Sequence, residues 1–225
     1  MAESPIEAVL FDIDGTLIAS GGASTIAWRR AFEELHGITV DVWDYTDPGT
    51  TDPEVARASF RGALGREPAK AELARLMALR LRFLPEAVER SAGYRVLPGV
   101  EEALERLIED GRLLGLTTGN VEAAAHIKLA RANLNRFFSF GGYGSDAADR
   151  ARLTRRAIER AAIVSGGTVD ASECVAVGDT PLDVAAAHGA GIRLLGVATG
   201  NYSVGELREA GADWAVESLA GELPL

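Results

Sequence analysis

Short, almost wholly apolar segments alternate with amphipathic helical segments over most of this chain, and this alternation is the strongest constraint on its fold. The apolar segments predict buried strands at 8–11, 113–117, 137–140, 174–177 and 194–198. The helical segments lie at about 100–108, 121–132 and 150–164, with a last helix from Ser203 and an edge strand at 214–216. Strands that lack a polar face and are each followed by a helix predict a parallel sheet covered on both faces. We therefore expect a doubly wound, Rossmann-like α/β core.

The alternation stops between about residues 19 and 94, where helical periodicity takes over. Two apolar stripes at helical spacing run through this segment, one at Trp28, Ala31, Phe32 and Leu35 and the other at Leu73, Leu76, Met77, Leu81 and Leu84. Asp52 followed by Pro53 predicts a helix start with Asp52 as the N-cap. We predict a core domain made of residues 1–18 and 95–225, with residues 19–94 inserted as an α-helical cap over the strand ends.

Composition and charge limit the possible functions. A net charge of −10 argues against a nucleic-acid partner, because that affinity comes largely from cations that neutralise phosphates. Cys174 is the single cysteine, so the chain has no disulfide framework and no cysteine pair for a metal. The N-terminus has no basic start, and no run of eighteen apolar residues occurs, so neither a signal peptide nor a membrane span is expected. We expect a cytoplasmic monomer or homodimer.

Polar side chains follow three of the predicted strands. Asp12 and Asp14 follow the first, Thr118-Gly119-Asn120 the second, and Asp179 a later one, with Asp183 one helical turn further on. In doubly wound sheets, ligands bind beyond the carboxyl ends of the strands, where the winding reverses. If these strands are neighbours, up to four carboxylates meet in one crevice and repel one another unless a cation is present. Magnesium suits such a site, because it prefers oxygen ligands and keeps waters that substrate oxygens can displace.

Clustered carboxylates of this kind suit phosphoryl transfer. A carboxylate nucleophile forms an acyl phosphate that is also hydrolysed readily. A second carboxyl two residues further on is well placed to give a proton to the leaving oxygen and later to take one from water. The hydroxyl of Thr118, the backbone amides of the turn at 118–120 and an arginine could hold the remaining phosphoryl oxygens.

Three segments resemble motifs of one large family. Phe11–Leu17, with the sequence FDIDGTL, resembles the first motif of the haloacid dehalogenase superfamily. Thr118–Asn120 resembles the second motif, and Val177–Asp183, with the sequence VGDTPLD, resembles the fourth. With the helical insert, the resemblance covers nearly the whole chain, and the nearest branch is phosphoglycolate-phosphatase-like. It implies a magnesium-dependent phosphatase that hydrolyses a small phosphate ester through an aspartyl-phosphate intermediate. By this resemblance, the ester would be phosphoglycolate-like, a sugar phosphate or a nucleotide.

The same resemblance implies roles for individual residues. Asp12 would be the nucleophile and a metal ligand, and Asp14 the general acid and base and a metal ligand through its carbonyl. Asp179 would complete the magnesium site, and Asp183 would support it without binding the metal. Phosphate or substrate contacts would come from Thr118, Gly119, Asn120, Thr51 and Asp52. The last two belong to Gly49-Thr50-Thr51-Asp52, which resembles a cap segment that faces the active site in this family.

The third motif of the family, normally a lysine, is not clearly present. Arg150, at the start of a predicted helix, is the first candidate for this positive charge. Lys128 is the second, although its place more than two turns along the helix after Thr118 is expected to carry it away from the site.

Plainer interpretations stand beside these. Asp12, Asp14 and Asp179 could be ordinary turn residues at strand ends, Asp183 could cap a helix, and Arg150 could be solvated. A dehalogenase is disfavoured because Asp14 is retained. A phosphonatase is disfavoured because it would need a cap lysine for a Schiff base, and the cap has only Lys70 in a polar stretch. A phosphomutase and a non-catalytic, phosphate-binding regulatory protein of the same fold are the alternatives kept.

Overall fold

The main sheet has six parallel strands within residues 6–225, the part of the chain that this computed structural model describes. The strands are β1 (Ala8–Phe11), β4 (Leu113–Thr118), β5 (Phe140–Tyr143), β6 (Cys174–Gly178), β7 (Arg193–Val197) and β8 (Trp214–Val216). A separate antiparallel pair is formed by β2 (Ile18–Ser20) and β3 (Tyr94–Val96). Residues 1–5, which begin the expected core segment 1–18 and carry part of the argument against a signal peptide, lie outside the described residues.

The strand order places β1 at the centre of the main sheet. The order is β5-β4-β1-β6-β7-β8, and Phe11 at the end of β1 lies opposite Leu116 of β4 and Val177 of β6. The winding therefore reverses at β1, and the residues that follow β1, β4 and β6 meet at one edge of the sheet. The expected Rossmann-like α/β fold is confirmed.

Helices lie on both faces of this sheet. The helices of the chain are α1 (Ala23–His36), α2 (Asp52–Leu64), α3 (Lys70–Arg90), α4 (Val100–Glu109), α5 (Glu122–Ala130), α6 (Arg150–Ser165), α7 (Pro181–Ala190) and α8 (Val204–Glu209). Alternate residues of β1 enter different apolar clusters, because successive strand side chains point to opposite faces. Val9 packs with Leu104 of α4 on one face, and Leu10 packs with Ala157 of α6 on the other. Within residues 6–225, no helix combines the length and the apolar composition that crossing a membrane requires.

The three helices between β2 and β3 bury a cluster of their own. Trp28 and Phe32 of α1, Phe60 of α2 and Leu76 of α3 form its centre. Val121, at the start of α5, also belongs to this cluster. The helical segment therefore rests on the edge of the main sheet that carries the strand ends.

One strand was predicted in the wrong place. The strand predicted at 137–140 begins on the last residue of a short 3₁₀ helix, Leu134–Phe137, and the observed strand β5 runs from Phe140 to Tyr143. The strand runs through Gly141 and Gly142, which strand propensity disfavours. A Cβ on Gly142 would overlap the carbonyl of Leu153, so glycine is what lets α6 lie directly on this strand. The predicted helix 121–132 is also shorter and ends at Ala130.

Candidate active site

Three carboxylates meet at the reversal point of the sheet. Asp12 follows β1, Asp179 follows β6, and Asp183 lies in the first turn of α7. Each offers an oxygen atom, and these atoms lie within 4.8 Å of one another. All three side chains are buried. The structure thus brings together residues that the strand-end pattern predicted to meet.

Burial and mutual repulsion make this cluster unfavourable for negative charge. Burial, followed by the charge of Asp183, raises the pKa of Asp12 to about 7, even though Arg150 opposes the shift. Burial, followed by the charges of Asp183 and Asp12, raises the pKa of Asp179 to about 9. A hard divalent cation would stabilise the ionised forms, and closely spaced carboxylate oxygens are the ligands that it prefers. The residues present therefore fit a divalent metal ion.

The loop after β1 is shaped by its contact with Asp179. Gly15 has φ +86°, and a Cβ there would overlap the carboxylate of Asp179. Thr16 donates a hydrogen bond from its hydroxyl to Oδ1 of Asp179 at 3.1 Å. Glycine is required here both by the left-handed backbone and by the close approach of the carboxylate. This loop consequently fixes one member of the acidic cluster.

Asp14 differs electrostatically from the other carboxylates. Its Oδ2 accepts hydrogen bonds from Nζ of Lys128 at 2.5 Å and from Nδ2 of Asn120 at 2.9 Å. Burial alone would raise the pKa of Asp14, but the charge and hydrogen bond of Lys128 and the amide of Asn120 outweigh burial and lower it. Asp14 therefore favours the ionised form, whereas Asp12 beside it does not.

The expectation that helix geometry carries Lys128 away from the site is wrong. Lys128 is 2% exposed and lines the same cavity as Asp12 and Asp14. Side chains on a helix tilt towards its N-terminus, and α5 begins beside the strand ends. The long side chain of Lys128 therefore points back along α5 towards the strand ends and contacts Asp14.

Arg150 also reaches the site, from the start of α6. One terminal nitrogen pairs with Oδ1 of Asp183 and lies 3.9 Å from Oδ1 of Asp12, and the other donates to the carbonyl of Gly49 at 2.6 Å. The other carboxylate oxygen of Asp183 accepts from the backbone amide of Thr180 at 3.0 Å and from its hydroxyl at 2.7 Å. Asp183 thus caps α7 and holds Arg150 at the same time.

Within the loop after β4, the side chain of Asn120 makes several contacts. Its side-chain amide donates to Asp14 and, at 2.9 Å, to the hydroxyl of Thr118, and its carbonyl oxygen accepts from Lys128 at 2.7 Å. Gly119 and Thr118 line the cavity. The polar atoms of the Asn120 side chain are therefore engaged by protein groups.

The cap residues expected to contact substrate occupy different positions. Thr51 is the N-cap residue of α2 and lines a separate cleft of about 310 Å³ rather than the main cavity. Asp52 lines the main cavity but is the first residue of α2 instead of its N-cap, which corrects the predicted helix start. Its Oδ2 accepts from Nη1 of Arg80 at 2.8 Å and from the backbone amide of Val121 at 2.8 Å.

Arg80 is a site residue that sequence reasoning missed. It is 1% exposed, lines the main cavity and places its guanidinium 4.8 Å from the ring centroid of Trp28. Arg80 lies four residues after Leu76 and four before Leu84, so it occupies the buried stripe of α3. An arginine at a stripe position is the signal that could have identified it, because buried arginines need partners.

The main cavity has a volume of about 690 Å³ and lies between the strand ends and the helical segment. Its walls include Asp12 and Asp14 on one side and Trp28, Trp43 and Arg80 on the other. A cavity of this size falls within the range of small-molecule sites. The charged side chains in its walls suit a small ligand that carries charge.

A doubly wound sheet with a cavity at its reversal point, under covering helices, is the architecture of an α/β protein that binds a small ligand at the strand ends. Comparison with known families makes this specific, because a model of the haloacid dehalogenase-like hydrolases matches residues 6–191. The chain belongs to this hydrolase family, which confirms the resemblance seen in its motifs.

Individual relatives are similar over most of their lengths. A phosphonoacetaldehyde hydrolase from Bordetella avium is 28% identical and aligns over 91% of this chain and 76% of its own. A phosphoglycolate phosphatase from Agrobacterium fabrum is 28% identical over 96% of this chain and 90% of its own. A crystal structure described as a predicted phosphoglycolate phosphatase from Haemophilus somnus has a TM-score of 0.74, 19% identity and 96% coverage of both chains. This last similarity shows a shared fold.

Proposed function

We propose that the protein is a magnesium-dependent phosphatase that hydrolyses a small phosphate monoester through an aspartyl-phosphate on Asp12. The observation that carries the proposal is the contrast between two carboxylates in one cavity. Asp12 lies in the acidic cluster beside Arg150, and Asp14 is held separately by Lys128 and Asn120. Two carboxyl groups in different environments suit two different roles in one reaction. The similarity to phosphoglycolate phosphatases supports the same reaction class.

In the first step, a carboxylate oxygen of Asp12 attacks the phosphorus atom of the ester. The new bond joins that oxygen to phosphorus while the bond from phosphorus to the ester oxygen breaks. Asp14, whose pKa is lowered in the free site, has to be protonated for this step, and it gives that proton to the departing oxygen, which leaves as an alcohol. The guanidinium of Arg150, 3.9 Å from Oδ1 of Asp12, would neutralise negative charge on the phosphoryl group.

In the second step, water attacks the phosphorus atom of the intermediate. Asp14, now ionised, takes the proton of that water, and the bond between Asp12 and phosphorus breaks to release inorganic phosphate. The lowered pKa of Asp14 favours the base in this step. Asp14 ends the cycle protonated, and Asp12 ends it as a carboxylate.

The acidic cluster is the proposed place of the magnesium ion. Asp12 and Asp179 would hold it with their carboxylates and Asp14 with its carbonyl, while Asp183 holds Arg150. When bound, the ion neutralises the charge of Asp12 and of the phosphoryl oxygens. Thr118, Gly119 and Arg150 surround the remaining oxygens.

The helical segment is proposed to act as a cap that opens for substrate and closes to exclude water. In this proposal, residues 19–94 form the cap and residues 1–18 and 95–225 the core. The substrate is a small phosphate ester of the cytoplasm, and the protein works as a monomer or homodimer without a nucleic-acid or membrane partner.

The test is phosphate release from a panel of small phosphate esters, with and without magnesium. Native protein is compared with Asp12→Asn and with Asp110→Asn, which changes an exposed carboxyl at the end of α4. We expect magnesium-dependent turnover that Asp12→Asn abolishes and Asp110→Asn preserves. Turnover that survives Asp12→Asn would overturn the proposed aspartyl-phosphate intermediate. If no ester releases phosphate, the proposed phosphatase activity is wrong.

Hydrolysis of a phosphonate carbon–phosphorus bond is a second candidate, favoured by one observation. Lys128 places an amine in the cavity from the core, although the cap lacks a suitable lysine. Such an amine could condense with an aldehyde substrate to an imine and water, and a relative is a phosphonoacetaldehyde hydrolase. Borohydride would then reduce this imine, so that treatment with phosphonoacetaldehyde and borohydride attaches the substrate carbon chain to native protein but not to Lys128→Met. No labelling of the native protein would exclude this route.

A further inference from the structure

Two loops from different parts of the chain meet beside the main cavity. One is the segment Gly49–Asp52 at the start of α2, and the other is the loop 118–121 that follows β4. The backbone amide of Asp52 donates to the carbonyl of Gly119 at 2.8 Å. A Cβ on Gly119 would lie 2.9 Å from the carbonyl oxygen of Thr50, so the two backbones are in direct contact.

The side chain of Asp52 joins the same two loops. Its Oδ2 accepts from the backbone amide of Val121 at 2.8 Å, and the same oxygen accepts from Arg80 of α3 at 2.8 Å. Arg80 is itself fixed against Trp28. The carboxylate is therefore held from the helical segment and reaches across to the amide of the core.

The amide of Val121 has a particular need for this partner. Val121 is the N-cap residue of α5, and no side chain of that helix caps it. The first N–H groups of a helix lack partners inside the helix, and a negative charge close to them is stabilising. Asp52 supplies that charge from another part of the chain.

The loop fixed in this way carries the contacts of Asp14. Asn120 lies between Gly119 and Val121, the two residues that Asp52 binds. Its side chain donates to Asp14 and accepts from Lys128. A shift of this loop would therefore move the groups that hold Asp14.

We propose that Asp52 is a positioning residue that fixes the loop 118–121, and through Asn120 the carboxyl of Asp14, only while the helical segment lies closed over the core. This inference rests on the proposed phosphatase and cap. Asp52 then acts through Asn120 without binding the substrate, which replaces the substrate contact expected from its sequence position. Arg80 keeps the Asp52 carboxylate aimed at Val121.

Hydrogen exchange tests the contact without requiring activity. The exchange rate of the Val121 amide is measured in native protein, Asp52→Ala, Asp52→Asn and Glu54→Ala. The last variant removes surface ion pairs of α2 with Arg57 and Arg61 and serves as the control. We expect exchange about tenfold or more faster in Asp52→Ala, the effect of losing one charge-assisted hydrogen bond. Asp52→Asn keeps an acceptor oxygen, so its exchange rate should lie between those of native protein and Asp52→Ala.

Kinetics test the consequence for Asp14. With the best ester found for the native protein, we expect kcat of Asp52→Ala to fall about tenfold or more while KM changes little, with partial recovery in Asp52→Asn. The proposal is wrong if Asp52→Ala keeps both the native exchange rate of the Val121 amide and the native kcat. It is also wrong if only KM rises, because that result indicates direct contact with the substrate. If native protein releases no phosphate, the proposed function fails, and the exchange of Val121 still decides whether the contact exists.

Discussion

Lys128 and Asp14 form an ion pair inside the cavity, with Nζ of the lysine 2.5 Å from Oδ2 of the aspartate. Asn120 contacts both, donating to Asp14 and accepting from Lys128, so the three side chains form a closed triangle of hydrogen bonds. The triangle fixes the direction of the Asp14 carboxyl and favours its ionised form. It links the end of β1 to α5, the helix that follows β4.

Lys128→Met is expected to lower the turnover of a phosphate ester at least about tenfold, because Asp14, the proposed acid–base group, loses its position and its charge partner. The pH profile should shift as well. Lys128 holds the pKa of Asp14 down. Its removal raises that pKa, so the limb of the kcat profile that requires ionised Asp14 should move to higher pH. Lys70→Met is the matched control, since Lys70 is exposed at the start of α3. An unmoved limb would contradict this role.

Arg150→Lys is expected to reduce kcat/KM about tenfold or more, although it keeps the positive charge. The guanidinium contacts Asp183 with one terminal nitrogen and the carbonyl of Gly49 with the other, and an ammonium group cannot reproduce this fork. Inhibition by inorganic phosphate should weaken in parallel, which a phosphate titration measures. Arg152→Lys, at an exposed position in the same helix turn, should behave as native protein. Equal phosphate inhibition in Arg150→Lys and native protein would refute the role.

Without metal, the stability of the protein should fall as pH rises. The pKa values of Asp12 and Asp179 are raised from the ordinary 3.8 to about 7 and about 9, so the folded state binds more protons than the unfolded state in this range. The free energy of unfolding should therefore decrease from pH 5 to pH 8, by roughly 1 kcal/mol per pH unit for each such proton. Urea unfolding in the presence of a chelator measures it.

The same experiment has two internal checks. Asp179→Asn removes one of the two carboxyl groups that bind these protons, so the free energy of unfolding should depend less on pH. Asp110→Asn changes an exposed carboxyl and should leave the pH dependence unchanged. Saturating magnesium should also flatten it, because a cation stabilises the ionised carboxylates. Metal-free stability that stays level or rises over this range would show that the acidic cluster is not strained in the folded protein.

Gly142→Ala is expected to lower the free energy of unfolding by about 1–3 kcal/mol, the usual effect of forcing extra volume into a packed core. A methyl group there would overlap the carbonyl of Leu153 and push α6 off β5. Gly167→Ala is the control, because the nearest heavy atom to its added Cβ is the Ser165 hydroxyl at 3.9 Å. Equal stability of the two variants in thermal unfolding would contradict this account of β5.

Much of the sheet could be predicted because strands that are buried on both faces are apolar at nearly every position. A run such as Ala8–Phe11 is apolar at every position, and the carboxyl ends of parallel strands share one edge. Those two facts together bring Asp12 near Asp179. The sequence of β5 lacks this apolar pattern. Gly141 and Gly142 have low strand propensity, and Gly142 is needed because α6 packs directly on it.

The contacts made by long side chains were harder to predict. Whether Lys128 reaches Asp14 depends on how α5 is rotated against the sheet, which the helical period alone does not determine. The pairing of Asp52 with Val121 depends on where the helical segment rests, and the local pattern at Asp52 and Pro53 indicated an ordinary helix start. Only Arg80 carried an overlooked signal, its place within an apolar stripe.

The β2–β3 pair has a consequence for how the chain is assembled. Ser20 lies opposite Tyr94, so the backbone enters the helical segment and returns from it at neighbouring points of the β2–β3 pair. A two-residue turn can close such a gap. The connectivity of the sheet is therefore independent of what stands between these two points. We therefore expect that another insert with equally close ends could replace the intervening helices and admit different esters while leaving the groups at the strand ends unchanged.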